Sequence, residues 1–157
     1  MLHRSDLTEE QAELICGWKY EGEYGVYNTS WETVQKQKWA IADREKRRTQ
    51  FEAVLDERNA LFGYFRLVED GNSVMIGLGL NPQDCSKGYG SELMKLILAE
   101  CSRRFSGKTP GLEVREFNLR AIKCYKKAGF QITDRYTKST LTGTDTFLLM
   151  RYIHTED

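Results

Sequence analysis

Hydrophobic positions recur with two different spacings along the chain, and the spacing changes mark its elements. Thr8 precedes Ala12, Leu14 and Ile15, an apolar stripe with a capping residue in front of it, which predicts a helix that fails near Gly17. Trp18–Tyr27 mixes glycines, aromatics and acids without a period and reads as a loop. Ser30 then caps a second helix from Trp31 to about Ala42, with Val34, Lys38 and Ile41 on one side. Gln50–Leu55 and Ala60–Val68 alternate and are rich in aromatics and valine, as strands are. Turns at Asp56–Asn59 and Glu69–Asn72 join them to a third apolar run, Val74, Met75, Ile76, Leu78 and Leu80, which Pro82 ends. Three strands therefore form an antiparallel meander.

The helical spacing returns at Leu93, Leu96 and Ile97 and stops near Gly107, with Arg103 and Arg104 in the last turn. Gly111–Glu116 is a further strand. Asn118 caps a helix bearing Ala121, Ile122 and Tyr125 on one face, and Gly129 ends it. Gln131–Lys138 and Thr146–Ile153 are the last strands, joined by a turn at Thr142–Asp145. The pattern predicts a single α+β domain over 1–157, with a mainly antiparallel mixed sheet of six to seven strands flanked by about four helices.

Composition narrows the function classes. Lysine plus arginine equals aspartate plus glutamate at 23 each, so nothing draws the chain nonspecifically to nucleic acid or to an anionic membrane. The basic run Arg44, Lys46, Arg47, Arg48 reads as a solvated surface. Cys16, Cys85, Cys101 and Cys124 are scattered, and only His3 and His154 could join them, so no metal site is expected. The expectation is a soluble cytosolic protein with reduced thiols. The first residues lack the apolar core of a signal peptide, and no apolar run reaches the length of a membrane span.

The candidate chemistry lies where the third strand gives way to the long helix. Lys87, Gly88, Tyr89, Gly90 and Ser91 would aim several backbone N–H groups at one spot, beside a lysine and at the start of a helix. The spelling is neither that of a P-loop nor that of a dinucleotide fingerprint, because Leu93 stands where the third small residue of the latter belongs. Two readings stand: a tight turn without a ligand, or a pyrophosphate seat.

Two motifs in order resemble the GNAT family of N-acetyltransferases. Cys85-Ser86-Lys87-Gly88-Tyr89-Gly90 lies on that family's Arg/Gln-x-x-Gly-x-Gly/Ala loop, and Asn118, Ala121, Tyr125 and Gly129-Phe130 keep its second landmark. The likeness runs from about Gln50 onward, with a cofactor core at about 72–130 and an acceptor side at about 8–48. The resemblance implies acetyl-CoA (coenzyme A) as cofactor and a small-molecule amine or a protein N-terminus as acceptor. It implies cofactor contacts from Leu78, Leu80, Cys85, Ser86, Lys87, Gly88, Tyr89, Gly90, Ser91 and Asn118. Leu112-Glu113-Val114-Arg115 also looks like the ribosomal-protein alanine acetyltransferase branch, where Glu113 would be the base and Tyr125 the acid. Cys85 departs from the family's Arg or Gln, so weaker cofactor affinity is expected.

The chemistry expected is direct attack by the amine through a tetrahedral intermediate, with an oxyanion met by a backbone N–H of Gly77–Leu80. Cys124 has no histidine to activate it as a nucleophile. A noncatalytic acyl-CoA-binding or interaction module is the alternative. Exposed strands toward the C-terminus allow a homodimer.

Overall fold

The structure, a computed structural model, describes residues 1–85 and 87–153. Seven strands form a mixed sheet in the order β1-β2-β3-β4-β5-β7-β6, and five α-helices accompany them among the described residues. The chain divides into two compact units, one of Met1–Arg66 with Leu78–Tyr89 and one of Leu67–Gly77 with Gly90–Asp157.

In the first unit, β1 (His3–Asp6) pairs antiparallel with β2 (Phe51–Leu55), which pairs antiparallel with β3 (Leu61–Asp70). β1 has no apolar alternation for a pattern search to find, because all its residues are exposed. Helix α1 (Glu9–Cys16) starts at Thr8 with a reciprocal capping box: the Gln11 N–H donates to Thr8 Oγ1 at 3.1 Å, and the Thr8 N–H to Gln11 Oε1 at 3.0 Å. The helix expected over Trp31–Ala42 is shorter: α2 covers Trp31–Lys36 and a 3-10 turn covers Ala40–Ala42. Lys38 takes a left-handed conformation (φ 56°), while the N–H groups of Lys38 and Trp39 close back on the carbonyls of Gln35 and Val34. That is the double closure with which helices commonly end on glycine, here on a lysine, and so invisible to a search for glycine stops.

Trp18–Tyr27 is not irregular throughout, since Gly22–Tyr27 form a 3-10 helix. Arg44–Gln50 is a helix, α3, capped by Asp43, whose Oδ1 accepts from the Lys46 N–H at 2.9 Å. Arg47 is no solvated surface residue: it is 5% exposed and donates to the Ile41 carbonyl at 2.9 Å. Its guanidinium also keeps Glu9 within 3.6 Å. The core of this unit gathers Ala12, Ile15, Cys16, Val34, Ile41, Phe51 and Ala53, flanked by Trp18, Trp31 and Tyr64.

In the second unit, β4 (Ser73–Leu80) pairs parallel with β5 (Thr109–Arg115) through Ser73–Ile76. β5 pairs antiparallel with β7 (Gly143–Tyr152), and β7 with β6 (Phe130–Thr140). Helix α4 (Gly90–Arg104) buries Leu93, Met94, Ile97 and Cys101. Helix α5 (Leu119–Ala128) starts at Asn118, whose Oδ1 accepts from the Ala121 N–H at 3.2 Å, and ends at Gly129 with φ 109°. No helix among the described residues is long and apolar enough to cross a membrane.

Burial pushes the thiols of Cys16 and Cys101 up to about 11. Below about pH 9 both are protonated whether the chain is folded or not, so the stability they lend is complete there. Between about pH 9 and 11 the unfolded chain ionises them first, and stability falls as pH rises. A Cys16→Ala/Cys101→Ala variant should therefore lose less stability over that window than the native chain in urea melts. An equal loss would assign the alkaline weakening to other groups.

Candidate functional site

In the first unit, β4 runs out through Leu78, Gly79 and Leu80 into the loop at 81–89. The exit is tight. A Cβ on Gly63 would sit 2.5 Å from the Gly79 carbonyl oxygen, and one on Gly79 would sit 2.5 Å from Cε1 of Tyr64. Only glycines at 63 and 79 let β3 and β4 approach this closely, so Gly79 is a packing requirement of the strand. Beyond them the Asn81 N–H donates to the Phe62 carbonyl at 2.8 Å, and Pro82–Asp84 form a 3-10 turn.

Cys85 follows, half-buried, with its Sγ turned to the Asn81 carbonyl at 3.7 Å. It thus holds the loop rather than reaching outward, as an arginine or glutamine there would. Ser86 lies outside the described residues. Lys87 is exposed, 3.9 Å from Asp84. Gly88 is exposed at φ 85°, and nothing stands within 4 Å of the place its Cβ would take. The Tyr89 ring meets Phe62 edge-on at 5.2 Å. Space beside the Gly88 backbone is open.

Tyr20 also reaches this strand end, which the sequence did not signal. Its hydroxyl donates to the Leu80 carbonyl at 2.6 Å, and its backbone N–H takes Asn28 Oδ1 at 2.7 Å. Burial, then the neighbouring Tyr64 and Cys85, raise the Tyr20 phenol above its ordinary range, so the hydroxyl stays a donor.

In the second unit, α4 opens at Gly90, followed by Ser91 and Glu92, and its first-turn N–H groups have no intrahelical acceptor. A Cβ on Gly90 would come within 2.7 Å of Cys124 Sγ on α5. Burial raises the Cys124 thiol, with Lys127 opposing. Gly90→Ala should cost about 1 kcal/mol through that clash, less than a clash with backbone because the thiol can turn aside. In a Cys124→Ala background the cost should largely vanish, a coupling that thermal melts of the two single variants and the double would read. Additive losses would show that Gly90 is needed for backbone reasons alone.

Tyr125, on the same helix, stacks edge-on against Phe130 at 6.3 Å, and Phe130 against Tyr152 at 5.7 Å. Asn118 spends its side-chain acceptor on its own helix. Glu113, at the middle of β5, has both carboxylate oxygens engaged from β6: Tyr136 donates to Oε2 and the Lys138 ammonium to Oε1. Lys138 lies 4.5 Å from the Phe147 ring centroid, and the Arg115 guanidinium, paired to Asp145 at 2.8 Å, lies 5.1 Å from it. Burial, then the bond to Glu113, push the Tyr136 phenol up to about 12. Tyr136 and Lys138 were missed in the sequence because only the cross-strand register brings them to Glu113.

The sequence profile of the acetyltransferase (GNAT) family matches residues 10–130. None of the curated proteins matches the chain. Among solved structures, a spermidine N-acetyltransferase chimera from Vibrio cholerae and hSSAT superposes with a TM-score of 0.75 at 18% identity, covering 97% of this chain and 95% of that one. The ribosomal-protein-S18-alanine N-acetyltransferase from Escherichia coli gives 0.69 at 17% identity, covering 100% of this chain and 98% of that one. The spermidine N-acetyltransferase from Vibrio cholerae in complex with CoA and spermine gives 0.69 at 18%, covering 96% and 94%. These superpositions establish the shared fold.

Proposed function

The chain belongs to the acetyltransferase (GNAT) family, and from that premise we propose that it moves the acetyl group of acetyl-CoA to a primary amine. Acetyltransferases of this family use acetyl-CoA, which supplies an acetyl group activated as a thioester. The observation that carries the reading is the loop at Lys87–Tyr89, with Gly88 in the left-handed region and open space beside it. That loop leads straight into a 15-residue helix. Within the first unit, backbone N–H groups of Lys87, Gly88 and Tyr89 would hold the pyrophosphate. Cys85, bonded inward, would shape the loop. Leu78 and Leu80 of the same unit would offer strand backbone to the pantetheine arm.

Tyr125 would hold the proton that the departing sulfur needs. Glu113 would take the proton an ammonium must lose before it can attack, since an alkylamine with a pKa near 10.4 is protonated at neutral pH. The acidic and aromatic segment Tyr20–Tyr27, fastened through Tyr20 to Leu80, favours a cationic acceptor over an uncharged one.

Calorimetric titration of the purified protein with acetyl-CoA, followed by release of free CoA thiol over a panel of amines, tests this reading. Binding with transfer to an amine is expected. Binding without transfer to any amine would make the protein a noncatalytic acyl-CoA module. A folded protein that binds no acetyl-CoA would sink both readings.

A further inference from the structure

We infer that Glu113, Tyr136 and Phe147 form an ammonium-binding cage, and that Lys138 occupies it in cis, in the place an acceptor amine must take. The inference rests on the reading above that the acceptor is a cationic amine, and it adds how the site is guarded. All four side chains belong to the second unit and share one face of β5, β7 and β6.

Each wall of the cage answers a property of an alkylammonium. The Glu113 carboxylate supplies the opposite charge and accepts from the nitrogen at Oε1. Phe147 is 6% exposed, and its ring lies 4.5 Å from the ammonium, within the range where a ring attracts a cation. Tyr136 binds the other carboxylate oxygen and fixes the orientation of Glu113. An ammonium on an alkyl stem fits this set, and a lysine side chain is such a group.

The occupant is not locked in. The Lys138 side chain is 48% exposed, so it reaches the cage from solvent and can leave it by rotating a flexible stem. A tethered occupant competes at the high effective concentration that tethering confers. Any free amine then binds with its affinity reduced by the fraction of time the cage is empty. The residue is a brake on acceptor binding, released by mass action.

The test uses n-butylammonium chloride as the probe on the whole protein without acetyl-CoA, with binding followed by NMR. Lys138→Met removes the charge and keeps an apolar stem. It should bind the probe about three- to tenfold more tightly than the native chain, the combined worth of an exposed ion pair and a cation–π contact. Adding Glu113→Gln to Lys138→Met should abolish that gain. In steady-state assays with butylamine, the KM should fall by the same factor, with the change in KM rather than kcat. Lys138→Gln serves as the second variant if Lys138→Met does not fold. Affinity in the folded variant that is unchanged or weaker would reduce Lys138 to a structural ion pair and overturn the inference. Tighter probe binding with no acetyl transfer would leave the cage standing and remove the transferase reading. Transfer with unchanged probe binding would remove the cage alone.

Discussion

Replacing Tyr125 with phenylalanine is expected to lower kcat by about 10²–10⁴-fold while leaving acetyl-CoA affinity nearly unchanged. The substitution deletes one hydroxyl and keeps the ring that packs edge-on against Phe130 at 6.3 Å. Little packing energy is at stake, and the loss should fall on the chemical step. The leaving sulfur has a thiol pKa near 8.5, and a positioned phenol would spare it from departing as a bare thiolate. Thiol release under saturating acetyl-CoA and amine reads kcat, and calorimetry reads affinity. A loss confined to acetyl-CoA affinity would make Tyr125 a packing residue.

The largest expected effect on stability is at Gly63. A Cβ there would meet the Gly79 carbonyl oxygen at 2.5 Å, and backbone cannot rotate away as a side-chain tip can. Gly63→Ala should cost about 1–3 kcal/mol. In a chain of 157 residues that lowers Tm by about 3–10 °C. The strand that must yield carries Leu78 and Leu80, so acetyl-CoA affinity should fall as well. Gly71→Ala is the comparison: its φ is 60° but its Cβ would meet nothing, so it should cost less and spare the cofactor. Equal melting of Gly63→Ala and the native chain would mean that β3 and β4 can part without penalty.

Legibility in the sequence followed the range of each signal. Helix α5 was readable because its start, Asn118, and its stop, Gly129, act within one turn of their own positions. The glycine loop was readable for the same reason. Lys38 ends α2 in the left-handed conformation that glycine usually takes, and the pattern therefore ran on to Ala42. Arg47 reads as surface in the sequence because its partner, the Ile41 carbonyl, is a backbone group that no side-chain pattern reveals. Tyr20 reaches Leu80 across 60 positions, and Lys138 reaches Glu113 across 25. Simple alternation from Ile132 would moreover place Tyr136 and Lys138 on the face of Met150, because it cannot see the shift of register between Ile132 and Asp134.

That shift has a bearing on how this hairpin tolerates change in length. Ile132 stands opposite Met150, and Asp134 stands opposite Leu149, so Thr133 is the extra residue of a bulge. Removing it would join two ladders already in step, and every pair from Asp134–Leu149 to Thr140–Gly143 would survive the deletion. The hairpin thus has a seam. On one side of it Phe130 is held in the core, and on the other Tyr136 and Lys138 face Glu113. Related chains can gain or lose a residue at this seam without turning either group over, and alignments of the strand should place their gaps there.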